Sequence, residues 1–247
     1  MICIGIGGVL GRMGQAVAVA AQALSDVTIV GGIVRRGSAA ERSDRRGYPI
    51  SSNLQDVITQ SDVFVDFSSA NALADHLRAC VEKGVPYLSG VTGLDGANRD
   101  RLTEAAAHIP VFYASNFSVG VTVVTELVSM AAAWMPEADV EVVDLHHQLK
   151  RDAPSGTALS LVAAVEAGRA ATGGIGVHSL RAGGNAGEHR VLFASEGEEV
   201  WISHRALSRA TFAEGALQAA RWLADKPPGR YGMKNMLSGE AGGLQMS

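Results

Sequence analysis

The densest chemistry in the chain lies between positions 146 and 157. It reads His146-His147-Gln148-Leu149-Lys150-Arg151-Asp152-Ala153-Pro154-Ser155-Gly156-Thr157. Histidine exchanges a proton near neutral pH, so the pair can act as a proton donor. Lys150 adds a compact cation. Ser155-Gly156-Thr157 opens a helix and offers hydroxyls and unpaired backbone N–H groups, which suit a carboxylate. Two anion sites flanking a proton donor suit a small dicarboxylic acid. The same segment also reads as a capped helix start with solvated charges. Tandem histidines are a poor metal site, because sequence neighbours rarely share one coordination sphere and no cysteine or carboxylate cluster completes it. No metal is expected.

A second motif stands at the start. Gly8-Val9-Leu10-Gly11-Arg12-Met13-Gly14 follows an apolar strand and opens a helix, a GxxGxxG variant of the dinucleotide fingerprint. Glycines permit the tight turn and the approach of backbone to pyrophosphate, and the helix N-terminus attracts the anion. A structural turn in an α/β protein is the alternative. At the end of the second strand, where sites preferring NAD carry an acid for the ribose hydroxyls, the chain has Val34-Arg35-Arg36. Guanidiniums suit a 2′-phosphate, so NADPH is expected over NADH, with NADH possible. A solvated arginine pair is the competing reading.

These residues need elements to hold them. The chain has 247 residues, 47% of them hydrophobic, enough for two modest domains. Its net charge of −4 argues against nucleic-acid binding. Its two cysteines, Cys3 and Cys80, sit in apolar runs and read as buried thiols. No signal peptide and no membrane-length apolar stretch is evident, which points to the cytoplasm.

Strands at 2–6, 28–34, 63–67, 86–91 and 111–114 alternate with helices at 12–24, 71–83 and 98–108. That alternation implies right-handed crossovers and a parallel sheet. Residues 36–53 read as a surface connection. After about Ser118 the pattern becomes helix 119–135, strand 140–145, helix 157–169, three alternating strands at 178–182, 188–194 and 199–206, and helix 211–223. The tail after Pro227 reads as mobile. The fold class is therefore α/β: a Rossmann-like parallel-sheet dinucleotide-binding domain, then an α+β domain for substrate and oligomerisation. The half-covered sheet of the second part would expose an apolar face unless another subunit covers it.

The chain resembles the dihydrodipicolinate reductases of the bacterial diaminopimelate–lysine pathway. Their loop reads roughly E-x-H-H-x-x-K-x-D-A-P-S-G-T; here Asp144 stands in the place of the first Glu. Gly11-Arg12-Met13-Gly14, Gly90-Val91-Thr92-Gly93, Ser115-Asn116-Phe117-Ser118-Val119-Gly120, Gly187-Glu188-His189 and Ser208-Arg209 with Phe212-Ala213 and Gly215-Ala216 resemble further family motifs. The resemblance implies NAD(P)H-dependent reduction of the unsaturated ring of 4-hydroxy-tetrahydrodipicolinate. It implies cofactor contacts from Gly8, Gly11, Arg12, Met13, Gly14, Phe67, Gly90, Thr92, Ala114, Asn116 and Phe117, beside Arg35 and Arg36. It implies His146 as proton donor, Lys150 as a second catalytic group that also holds a carboxylate, and His147, Ser155, Gly156 and Thr157 as substrate ligands. It implies a cofactor domain over 1–117 to which 209–247 return, a substrate and tetramerisation domain over 118–208, and a homotetramer. The segment Asp66-Phe67-Ser68-Ser69-Ala70 departs from the Phe-Thr-x-Pro-Glu that relatives often carry.

Two rival readings remain at this level. An oxo-acid dehydrogenase would share the glycine turn without needing the 146–157 loop. A redox-sensing module that binds NAD(P)H without turnover would want a basic or partner-binding surface. A turnover assay separates the three.

Overall fold

The computed structural model describes residues 1–38, 47–169, 173–208 and 210–239. In chain order the elements are β1 (Ile2–Gly7), α1 (Arg12–Gln22), β2 (Val27–Ile33), β3 (Ile50–Ser51), α2 (Leu54–Ile58), β4 (Val63–Asp66), α3 (Ala70–Lys83), β5 (Tyr87–Ser89), α4 (Gly96–Ala106), β6 (Pro110–Tyr113), α5 (Val119–Trp134), β7 (Asp139–His146), α6 (Gly156–Gly168), β8 (Ile175–Arg181), β9 (Glu188–Ala194), β10 (Glu199–Arg205), α7 (Ala210–Leu223), β11 (Gly229–Tyr231) and α8 (Met233–Ser238). They form two compact units. One comprises Met1–Phe117 and the chain from Phe212 onward; the other is Ser118–Thr211.

The first unit is a seven-stranded sheet in the order β11-β6-β5-β4-β1-β2-β3, with every pair parallel. Its central strands are apolar runs without alternation, because both faces are covered. Ile4, Ile6, Val63, Phe64, Val65, Leu88, Val111 and Phe112 are all fully buried. From β1 the chain crosses through α1 to β2 on one side, whereas β4 lies on the other. That reversal lies at the carboxyl ends of β1 and β4, the place where doubly wound sheets take ligands.

The structure corrects the sequence reading in three places. The connection over 36–53 contains β3, an edge strand on β2, and runs into α2, whose N-cap Asn53 accepts from the Gln55 N–H; residues 39–46 of it lie outside the described residues. The tail after Pro227 is ordered through residue 239. Its β11 pairs with β6, and Tyr231, Met233 and Met236 are buried; residues 240–247 lie outside the described residues. Cys80 is buried as expected, but Cys3 is only partly so.

The second unit is a mixed four-stranded sheet in the order β10-β9-β7-β8, parallel only between β7 and β8. Helices α5 and α6 cover one face. Along β7 every second residue points under them: Val140, Val142, Asp144 and His146 are all buried. Register carries the pattern sideways. Val140 aligns with Phe193 and Ile175, and Val142 with Val191 and Val177; these pack with Val128, Leu161 and Val165 of the helices. One step further, Asp144 aligns with His189 on one side and Ser179 on the other, and His189 with His204. The covered face thus turns from apolar to ionisable in a single transverse row.

Candidate active site

In the first unit the sequence-predicted cofactor residues collect at the carboxyl edge of the sheet. Gly8, Arg35 and Arg36, Phe67, Gly90 and Thr92, and Ala114 to Phe117 follow β1, β2, β4, β5 and β6 in turn. Gly8 has φ +69°, and a Cβ there would press on the Phe67 carbonyl at 2.7 Å; a Cβ at Gly14 would strike the Gly8 carbonyl. The turn closes with the Gly11 N–H donating to the Gly8 carbonyl at 2.8 Å. No side chain caps α1, which leaves its first N–H groups without a side-chain partner, beside the exposed Arg12 and the half-buried Met13. That is the donor set a pyrophosphate needs.

The departing 66–70 segment is built into this edge. Fully buried Asp66 accepts from the Ser68 N–H at 2.9 Å and from the Tyr87 hydroxyl at 2.7 Å, and its Oδ2 lies 2.8 Å from His76 Nδ1. Burial pushes the Asp66 carboxyl up, but His76 and the hydrogen bonds outweigh it and hold it below the ordinary carboxylate range. The Phe67 ring consequently stands over Gly90 and packs edge-on against Phe117, with centroids 5.5 Å apart. Arg35 and Arg36 are exposed; Arg36 also lines a cavity with Ser51, Ser52 and Asn53.

In the second unit the loop that follows β7 is pinned at both ends to one side chain. Asp144 Oδ2 accepts from the Ser155 N–H at 2.8 Å and from Arg181 at 3.0 Å. Its Oδ1 lies 2.8 Å from His146 Nδ1 and 3.4 Å from His189 Nε2. Arg181 also donates to the Asp152 carbonyl at 2.6 Å, closing the middle of the loop onto β8. Ser155 is the N-cap of α6: its Oγ accepts from the Ala158 N–H at 3.2 Å and sits 3.1 Å from His189 Nε2. A parallel arrangement holds α5, where N-cap Ser118 contacts His204 Nε2 at 3.3 Å.

These contacts set the proton affinities. Burial raises Asp144, but the Ser155 N–H and Arg181 outweigh it and hold it at about 2. Burial lowers His146 below 6.5, and the opposing pull of Asp144 does not compensate. His189 falls to about 4, through burial first and then through repulsion from His146. Burial therefore favours the neutral form of both rings, and holds His189 neutral down to about pH 4. Gly187, at φ +148°, leaves room at the tip of His146: a Cβ there would lie 3.0 Å from Nε2.

The structure brings His146, Lys150 and Ser155 into one neighbourhood, and the N-terminal residues Gly156 and Thr157 of α6 follow Ser155 directly. Lys150 is not a bare cation: its ammonium donates to both oxygens of Asp152, at 2.8 and 2.7 Å. His147 is half-buried, and its N–H donates to the Asn185 carbonyl at 2.9 Å. Sequence reasoning singled out neither Asp144, Arg181 nor His204 as a functional group, and met His189 only inside a motif. Asp144, His146 and His189 are also, among the described residues, the one group of three whose ligand atoms lie within 4.8 Å of one another. Their shared carboxylate is already neutralised by Arg181 with Lys150 nearby, which suits proton transfer better than holding a cation.

Comparison with known proteins identifies the family. The model of the dihydrodipicolinate reductase N-terminus matches residues 2–117, and that of its C-terminus residues 120–237. A 4-hydroxy-tetrahydrodipicolinate reductase from Zymomonas mobilis is 42% identical over 253 residues, covering 95% of this chain and 96% of its own. One from Xanthomonas campestris is 43% identical over 236 residues, covering 94% and 96%. The dipicolinate-bound dihydrodipicolinate reductase from Paenisporosarcina sp. TG-14 superposes with a TM-score of 0.82 at 25% identity, covering 95% of this chain and 99% of that one. With both units matched and the loop residues in place around one buried carboxylate, the chain belongs to the dihydrodipicolinate reductase family.

Proposed function

We propose that the chain catalyses the NAD(P)H-dependent reduction of 4-hydroxy-tetrahydrodipicolinate, the step its relatives are named for, in the diaminopimelate route to lysine. The observation that carries this is the 146–157 loop. A histidine of lowered proton affinity and the N-terminus of α6 are held on one carboxylate, with an ammonium between them in sequence. His146 delivers the proton that follows hydride transfer. Lys150, His147 and the N-terminal residues Ser155, Gly156 and Thr157 of α6 hold the two substrate carboxylates. A bound dicarboxylate competes with Asp152 for Lys150 and frees the ammonium for the substrate. In the first unit the glycine turn, Arg12 and Met13 would hold the pyrophosphate of the cofactor, and Phe67, Gly90, Thr92, Ala114, Asn116 and Phe117 would contact its nicotinamide. The bound cofactor would supply the hydride.

NADPH is the preferred cofactor on this reading. Arg35 and Arg36 stand exposed after β2, and Val34 leaves no acid at that strand end to repel a 2′-phosphate. The working form is a homotetramer of a cytoplasmic enzyme. What supports self-association is the open face of the four-stranded sheet, where Leu180 and Trp201 are each about half exposed. No helix among the described residues is long and apolar enough to cross a membrane. The test is to mix the pure protein with NADPH and the condensation product of pyruvate and aspartate semialdehyde and follow nicotinamide absorbance. Oxidation well above background is expected; its absence refutes the assignment. A monomeric mass by light scattering at micromolar concentration refutes the tetramer.

A further inference from the structure

We infer that Asp144 is a positioning residue for proton delivery. It fixes which ring nitrogen of His146 faces the substrate, and it sets the spacing between that nitrogen and the end of α6. The inference rests on the proposed roles of His146 and α6.

Three observations carry it. First, the two oxygens of Asp144 divide the work: Oδ2 takes the Ser155 N–H and Arg181, while Oδ1 faces His146. Both ends of the loop therefore refer to one rigid group on the central strand pair of the sheet. Second, Oδ1 and His146 Nδ1 are both buried, lie 2.8 Å apart, and neither has a hydrogen-bond partner of good angle among the described residues. A buried carboxylate oxygen without a donor is costly. The nearest donor available is a proton on His146 Nδ1, 2.8 Å away; His189 Nε2 is at 3.4 Å and also shares Ser155 Oγ. Asp144 therefore selects the tautomer with Nδ1 protonated and leaves Nε2 as the exchanging atom. Third, Nε2 is the atom that faces Gly187, where a Cβ would lie only 3.0 Å from it. The nitrogen that Asp144 leaves free is the one against which the chain places a residue without a side chain.

The titratable and charged groups around His146 are Asp144 on its own strand, His189 on β9, Arg181 on β8, and Lys150 with Asp152 in the loop, with His204 of β10 next along the row. Arg181 and Lys150 lower the proton affinity of His146, and Asp144 opposes them. Removing the Asp144 charge therefore does two things at once: it releases the tautomer and lets the cations act unopposed.

The test compares Asp144→Asn, Asp144→Glu and His146→Ala as full chains, with steady-state kinetics across pH about 5 to 9 and NADPH titration by fluorescence. Asp144→Asn keeps the shape and one acceptor but loses the charge. It should lose about 10²-fold in kcat, move the kcat/KM limb assigned to His146 to lower pH, and leave NADPH affinity unchanged. Asp144→Glu keeps the charge and carries the residue of the family motif; it should stay within about tenfold of the parent. A purely structural role would lower thermal stability without moving the pH limb. Should Asp144→Asn keep the parent's kcat and pH profile while His146→Ala loses activity, the inference is overturned and the proposed function stands. Should His146→Ala itself remain active, the proton-donor assignment falls and this inference with it. If Asp144→Asn does not fold, nitrogen-labelled histidine NMR of the unmutated protein decides. Neutral His146 protonated on Nδ1 is expected; protonation on Nε2 overturns the inference.

Discussion

His189 provides a direct measure of how the ionisable row is integrated into the fold. The side chain is only 4% exposed and sits between Asp144, Ser155 and the ring of His146. Burial and its histidine neighbour lower it to about 4 from 6.5. Above pH about 6.5 neither the folded nor the unfolded chain holds a proton there. As pH falls between about 6.5 and about 4, the unfolded chain takes up a proton that the folded one refuses, so stability drops, and the loss is complete below the folded value. A depression of roughly two and a half units corresponds to about 3 kcal/mol. Domains commonly have only about 5–15 kcal/mol to lose. Replacing His189 by Gln keeps an amide near Ser155 but abolishes the titration. The parent should therefore lose about 3 kcal/mol more than the variant between pH about 7 and about 4. Urea denaturation followed by circular dichroism at the two pH values measures the difference. If the variant loses as much stability on acidification as the parent, His189 is not held neutral and the burial argument for the row is wrong.

Other outcomes follow from the same geometry. His146→Ala and Lys150→Ala should each lose about 10²–10⁴-fold in kcat. Lys150→Ala should also raise the KM of the dicarboxylate, and neither should change NADPH affinity by fluorescence titration. The pH profiles should split: the acid required in kcat/KM titrates below 6.5, since burial lowers His146 in the free protein, whereas a bound dianion beside the ring should move the limb of kcat to higher pH. Coincident limbs refute this. Replacing both Arg35 and Arg36 by Ala should weaken NADPH about ten- to a hundredfold, with far less effect on NADH, because charge-assisted bonds of roughly 1.5–3 kcal/mol are lost. An unmutated enzyme with the higher kcat/KM for NADH contradicts that reading.

Much of the fold and half of the site are legible in the sequence. The buried strands of the first unit announce themselves as apolar runs bounded by glycine and proline, and the glycine turn by its spacing. His146, Lys150 and Ser155 are visible because they are contiguous. Asp144, Arg181, His189 and His204 are not, because only strand register assembles them. Their signal is the polar break in an inward every-second-residue pattern: Val140, Val142, then Asp144; Phe193, Val191, then His189; Val200, Ile202, then His204. The partner of Lys150 escapes notice for the opposite reason. Asp152 is two residues away, and only the loop's folded path turns it back onto the ammonium. The short strands β3 and β11 carry no period to detect and exist because a neighbouring edge accepts them.

The pairing of β11 with β6 has a consequence for synthesis. The second unit is a continuous stretch and can form as it leaves the ribosome. The first cannot finish: β6 is made early, yet its outer neighbour arrives only after the whole second unit has been translated. Until then the hydrogen-bonding edge of β6 is open, and Phe117 waits for α7, whose Gly215 lies against its carbonyl. Such an edge invites pairing with other nascent chains. The interval between translating β6 and β11 therefore leaves this edge open to such pairing, and slow elongation through the second unit would lengthen it.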